Sequence, residues 1–291
     1  MKILISTDSS CLLTNDVFNG YDISVFPLNV IINGEEYLDG VTITQEELKN
    51  AMRSNKKIQT STPPIADVEE YFEKWLGKGY DHIIHFTISS KLSSMNQLFN
   101  NVANEKFNGK VTVIDSYGLT ATMLSYVFLA YDEVKKGTSP EEIKNMVEAR
   151  KTDNILVFVP ENLTALKNGG RISPAIASIG NLLGIKPFLS LTDGALEKEG
   201  MIKNVKKTFT DTLSKALSEH PVEEYDYFLL SFDANEKVLD YIKDYAHERL
   251  EEYEIITGNI PINVCAHCGP GTIGFVVSKN INGKSLNDFI K

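Results

Sequence analysis

The sequence predicts an α/β fold, doubly wound in its first half and α+β in its second. Apolar runs at Lys2 to Ser6, Asp81 to Ile88 and Val111 to Ile114 each empty into Asp or Ser residues. Helical stretches separate these runs, the pattern of a parallel sheet. From about residue 154 the order changes to hairpin, helix and strand, which places a boundary near 150 to 160 and divides 1–155 from 156–291. The chain of 291 residues is long enough for two such units.

The first strand ends in Thr7-Asp8-Ser9-Ser10, small polar residues of the kind that gather at ligand sites beyond the carboxyl ends of parallel strands. Asp8 reads equally well as a turn former or cap. Ile23 to Ile32 is strand-like with Pro27 interrupting it, and Asn33-Gly34 predicts a hairpin into Glu35 to Leu38. Thr44 with Glu47 forms a capping box that opens a helix to about Ser54. A hydroxyl-rich loop, Thr60-Ser61-Thr62-Pro63-Pro64, precedes an amphipathic helix over Ile65 to Leu76. Asp81 to Ile88 is a continuous β-rich run, consistent with a central parallel strand covered on both faces. It leads through Ser89-Ser90-Lys91-Leu92-Ser93-Ser94 to a helix from about Met95 to Glu105, and two further helices follow, Leu119 to Lys136 and Pro140 to Lys151.

In the second half, Ile155 to Val159 is a strand and Glu161 to Lys167 a short helix. Ser173 as N-cap, Pro174 behind it and a stop at Gly184 and Pro187 define about three turns of helix dominated by Ile176, Ile179, Leu182, Leu183 and Ile185. Such a helix is either core or the wall of an apolar cavity. One cation, Arg171, stands beside a glycine pair at its entrance, and the next charge is Lys186. A hairpin around Thr192-Asp193-Gly194 joins Phe188 to Leu191 with Ala195 to Ile202. Helices over Val205 to Glu219 and Asn235 to Tyr253 bracket a strand at Tyr227 to Phe232, and final strands are expected at Ile262 to Ala266 and Ile273 to Ser278.

Composition excludes several classes of function. The formal charge of -10, from 39 acidic and 29 basic residues, lacks the clustered cations that nucleic acid requires. No segment reaches the roughly 20 apolar residues of a membrane helix, and the N-terminus has no cleavage pattern, so a cytoplasmic protein is expected. Three cysteines are too few for a disulfide framework, and Cys265-Ala-His-Cys268 has no second ligand pair for a metal. Ser93 and His267 suggest an acyl hydrolase or phosphotransferase, but no G-x-S-x-G elbow surrounds the serine. Gly269-Pro-Gly271-Thr-Ile-Gly274 lacks the Lys-Ser/Thr of a nucleotide loop and reads better as a tight turn between strands with close backbone approach.

Taken together, Thr7-Asp8-Ser9, Thr60-Ser61-Thr62-Pro63, Ser89-Ser90-Lys91-Leu92-Ser93, Val113-Ile114-Asp115-Ser116, Leu166-Lys-Asn-Gly-Gly-Arg-Ile-Ser173, Ile185-Lys-Pro187 and His267-Cys-Gly-Pro-Gly-Thr-Ile-Gly274 resemble the successive signatures of the DegV family. That resemblance implies a bacterial carrier of one long-chain fatty acid with no cofactor, no metal and no catalytic residue of its own. It also implies that some members present the acid to a separate ATP-dependent fatty acid kinase. The carboxylate would be held by Thr60 and Ser93, with Ser61, Thr62 and Gly269 alongside and Arg171 and His267 close by, and the tail would enter a tunnel between or within the two units. A monomer is expected. The chain departs from the pattern at Thr62, where the family often has Gln, and at Ser94-Met95-Asn96, where it often has Gly-Thr-Tyr. Independent enzymes and regulatory modules for another small apolar acid are the competing readings.

Overall fold

The computed structural model describes residues 1–14, 16–178, 184–250 and 253–290. In chain order the first half holds β1 (Ile3–Asp8), β2 (Ile23–Phe26), β3 (Asn29–Ile32), β4 (Glu35–Leu38), α1 (Gln45–Arg53), β5 (Ile58–Ser61), α2 (Ile65–Gly77), β6 (His82–Thr87), α3 (Met95–Lys106), β7 (Val111–Asp115), α4 (Thr120–Lys136) and α5 (Pro140–Arg150). The second holds β8 (Ile155–Val159), α6 (Thr164–Asn168), α7 (Pro174–Ala177), β9 (Lys186–Thr192), β10 (Ala195–Ile202), α8 (Val205–Glu219), β11 (Tyr225–Phe232), α9 (Glu236–Leu250), β12 (Ile256–Asn259), α10 (Ile262–Cys268) and β13 (Thr272–Lys279).

Three sheets result. A parallel sheet runs β2-β1-β6-β7, with Ile5 of β1 opposite Ile23 on one side and Ile84 on the other. Every residue of β6 is buried, as a strand covered on both faces requires. Pro27 ends β2, and β3 then leaves for a small antiparallel sheet ordered β4-β3-β5. Thr60 and Ser61 therefore stand on a strand, not in the loop expected from their hydroxyl-rich sequence. Thr44 and Glu47 form the expected capping box of α1, and Ser139 with Glu142 forms another at α5.

The third sheet runs β10-β9-β8-β13-β11-β12, antiparallel except for the β11-β12 pair. Side chains alternate across it. Val157, Val159, Leu229, Phe275 and Val277 join Phe209 and Leu213 of α8 and Ile242 of α9 in one core. Their neighbours Leu156, Phe158, Leu230 and Val276 belong to the core shared with the first half. Such alternation is the period-2 consequence of the pleat.

Two further expectations are corrected. Residues 262–266 form helix α10 and not a strand, although Ile262, Val264 and the neighbouring prolines look β-like. A buried acceptor from far away decides it: Asp39 Oδ2 accepts the Asn263 N–H at 3.1 Å, at the first turn of the helix where backbone donors lack partners. The glycine turn that follows consequently joins a helix to β13, not two strands. The helix expected from Ser173 is observed as α7, with Ser173 Oγ accepting from the Ile176 N–H. Residues 179–183 of that expectation, including Ile179, Leu182 and Leu183, lie outside the described residues, while Gly184 has φ +71° and the expected stop at Pro187 falls inside β9.

Candidate functional site

A cavity of about 1070 Å3, its mouth included, lies between the carboxyl ends of the parallel strands, the small sheet, α10 and the inner face of the six-stranded sheet. Its floor is apolar: Leu156 and Phe158 of β8, Leu230 of β11, and Gly274 and Val276 of β13. Thr60, Ser61, Thr62, Ser93, Arg171 and His267 all line it, so six of the residues singled out from sequence converge on one cavity. Gly269 is not among the lining residues; it closes α10 at φ 78°, where a Cβ would meet Ala165.

His267 is the hub. Its Nε2 hydrogen-bonds Thr60 Oγ1 at 2.9 Å, while its Nδ1 is buried without a partner. Burial first and the Arg171 charge second lower its pKa to about 4, so the ring is neutral at pH 7 and does not titrate near neutrality as an exposed histidine would. Ser93 does not contact it: Ser93 Oγ accepts the Met95 N–H at 3.3 Å. The serine and histidine thus lack the hydrogen bond on which a hydrolase would depend.

The glycine pair before Arg171 now has a physical reason. A Cβ on Gly169 would stand 2.2 Å from His267 Nδ1, and Gly170 has φ +67°. Gly169 lets the chain pass close over the imidazole, and Gly170 supplies the left-handed backbone that follows. Arg171 then donates from Nε to the Leu92 carbonyl at 3.3 Å and from Nη1 to the Gly169 carbonyl. Among the described residues no carboxylate pairs with it, and burial lowers its pKa. A half-buried guanidinium with only carbonyl partners is a fixed positive charge facing the cavity.

Three polar side chains at the cavity were not singled out from sequence: Asn29, Thr120 and Asn263. Thr120 opens α4 at φ +53°, a strained conformation for a β-branched residue. The Oγ of Ser61, Oγ1 of Thr120 and Oδ1 of Asn263 are buried with no partner among the described residues. Unpartnered buried polar atoms are rare in folded proteins, and all three belong to residues that line this one cavity.

Behind the cavity, Asp8 accepts N–H bonds from Ile88 at 2.7 Å and Ser10 at 2.9 Å, and Asp39 accepts from Ser9 Oγ at 2.8 Å. Asp8 therefore acts as the cap of the Ser9–Cys11 turn and is not among the lining residues. Burial raises its pKa to about 6 and that of Asp39 to about 7. A carboxyl raised on folding contributes stability below its unfolded pKa and loses it as pH climbs to the folded value. Burial of His267, with its lowered pKa, works in the opposite direction between about 4 and 6.5. Relative to Asp39→Asn, the wild type should therefore lose ground by at most about 1.4 kcal/mol per pH unit between pH 4 and 7. Urea unfolding of both proteins at pH 4.5 and 7.5 checks this; an unchanged difference would refute it.

The fold and site define a class: an α/β protein with a parallel sheet, separate antiparallel and mixed sheets, and an apolar cavity with a hydroxyl-rich, cationic rim. The chain belongs to the DegV family, whose profile, described as an uncharacterised protein family, matches residues 2–280. A DegV domain-containing protein of Staphylococcus aureus is 31% identical over 291 residues, covering 96% of this chain and 99% of its own. A DegV family protein from Thermus thermophilus, described for its fatty acid binding, superposes with a TM-score of 0.85 at 27% identity, over 96% of this chain and 100% of its own. A stearic acid-binding protein from Eubacterium ventriosum shares the fold with a TM-score of 0.82 at 23% identity, over 96% and 98% of the two chains. No helix among the described residues is long and apolar enough to cross a membrane.

Proposed function

We propose that this protein binds one long-chain fatty acid, tail on the apolar floor and carboxylate at the rim, and presents it to a separate ATP-dependent kinase that makes acyl phosphate. One observation carries the reading: an apolar cavity whose rim gathers Thr60, Ser61, Thr62, Ser93, Arg171 and His267. A tail of about 14 methylenes supplies roughly 11 kcal/mol on burial, before ordering costs. A carboxylate leaving water needs hydrogen bonds on its oxygens and a nearby cation, and that rim provides both. In this reading residues 1–155 and 156–291 act as two units, the first supplying the hydroxyls and the second most of the tail surface. A single cytoplasmic chain suffices, with the relatives' fatty acid binding as support.

Mass spectrometry of lipid extracted from the purified protein tests the proposal. A fatty acid at about one per chain is expected; none, and none taken up on incubation, would refute it. Arg171 separates the two halves of the reading. Because the tail dominates affinity, Arg171→Ala should weaken binding by less than about tenfold. Acyl phosphate formation with a fatty acid kinase should drop by about 100-fold or more, the scale of losing one electrostatic contact to a developing charge. Loss of binding instead would reassign the residue to affinity.

A further inference from the structure

Ser89 is fully buried and is not among the residues that line the cavity, yet it places Ser93, which does line it. Its carbonyl accepts the N–H of Leu92 at 3.0 Å and that of Ser93 at 3.1 Å, which fixes where Ser93 enters the rim. Its own N–H donates to the Gly118 carbonyl at 2.9 Å. Its hydroxyl donates to the Gly194 carbonyl at 2.7 Å and accepts the Lys91 N–H at 3.2 Å. The sense of both hydroxyl bonds is settled by the partners, because a carbonyl only accepts and a backbone N–H only donates.

Gly194 belongs to the other half of the chain, at the tip of the β9–β10 hairpin. Asp193 and Gly194 have φ +48° and +78°, the pair of left-handed residues that a tight hairpin turn requires. Such tips ordinarily stand in water, but Gly194 is buried. A Cβ on it would lie 2.5 Å from Ser89 Oγ, 3.2 Å from Tyr117 Cδ1 and 3.4 Å from Lys91 Cγ, so the turn is pressed against the loop that carries Ser93. Leu196 of the same hairpin lines the cavity. The Ser89 hydroxyl therefore joins an element of the apolar wall to the loop of the polar rim.

We infer that Ser89 is a positioning residue that ties the β9–β10 hairpin to Ser93, so that recognition of the carboxylate depends on a docked hairpin. This rests on the fatty acid reading and adds to it a coupling between the wall that meets the tail and the serine that meets the head group. Without the hydroxyl, the Gly194 carbonyl loses its buried donor and the Lys91 N–H its acceptor. The hairpin and the loop can then part, and Ser93 loses its fixed place.

The experiment uses the delipidated full-length protein and displacement of a fluorescent fatty acid by hexadecanoic acid, tetradecanoic acid and methyl hexadecanoate. Wild type should prefer hexadecanoic acid to its methyl ester, which keeps the tail and lacks the charge. In Ser89→Ala that preference should fall about tenfold, the scale of a hydrogen bond to a charged group, while the ratio between the two acids stays within about twofold of wild type. A merely structural role would weaken acid and ester alike. Gly194→Ala attacks the link from the hairpin side, so a folding defect in one variant leaves the other informative. It should reproduce the loss, and the double variant should lose no more than the stronger single one. A preference that survives both single substitutions, a parallel loss for acid and ester, or losses that multiply in the double variant overturns the inference and leaves the carrier reading intact. Wild-type protein that binds no probe, or binds acid and ester equally, overturns the carboxylate reading and this inference with it.

Discussion

Replacing Gly274 with leucine should remove most of the affinity for a long-chain fatty acid and leave the fold intact. Gly274 lies on β13 opposite Phe158 of β8 and Leu230 of β11. Lacking a side chain, it makes a dent in the cavity floor between two large residues. A Cβ there would meet only Leu230 Cβ, Phe158 Cβ and the Val157 carbonyl, each at 3.9 Å, so the backbone accepts a larger residue. The added side chain continues into the cavity. Four new carbons displace about four methylenes of ligand, or about 3 kcal/mol and roughly 200-fold in affinity. The empty protein should melt within a few degrees of wild type, since leucine suits a strand better than glycine. Titration with acids of 12 to 18 carbons checks both parts; shorter acids should suffer less. Unchanged affinity for the longest acid would show that the tail lies elsewhere.

Gly169→Ala should be nearly as damaging for a different reason. The new methyl would stand 2.2 Å from His267 Nδ1 and 3.0 Å from its Cε1, distances no relaxation of the methyl alone can relieve. The imidazole must move, and its bond to Thr60 Oγ1 goes with it. Overpacking plus a broken, partly buried hydrogen bond should cost about 2–4 kcal/mol of stability, with at least about tenfold loss of ligand affinity. The control is a double-mutant cycle. His267→Ala leaves room for the methyl, so Gly169→Ala should be almost neutral in that background. Equal effects in both backgrounds would mean that the glycine serves some purpose other than clearance for the ring.

Much of this architecture was legible in the sequence because its causes are local. The apolar run at Ile83 to Phe86 announces a covered strand, and the Thr44 and Glu47 pair announces a helix start. The rim residues were legible only as a set, since Thr60 and His267 are 207 positions apart and no spacing rule joins them. Asn263 left no trace. Its place at the cavity depends on Ser10 and Asp39, which lie more than 200 residues away, and on a helix that local propensity disfavours. Gly169 shows the intermediate case: the doubled glycine was visible, but the imidazole it accommodates became identifiable only in three dimensions.

The alternation of side chains along β8 and β13 has a practical consequence. Neighbouring positions such as Phe158 and Val159, or Phe275 and Val276, belong to separate cores one peptide apart. Substitutions that remodel cargo preference can therefore be sampled at 156, 158, 230, 274 and 276 as one combinatorial library, without touching the packing under α8 and α9 that keeps the scaffold folded. Evolution has had the same freedom, so relatives with different chain-length tastes should diverge at those odd-one-out positions while the intervening residues stay bulky and apolar.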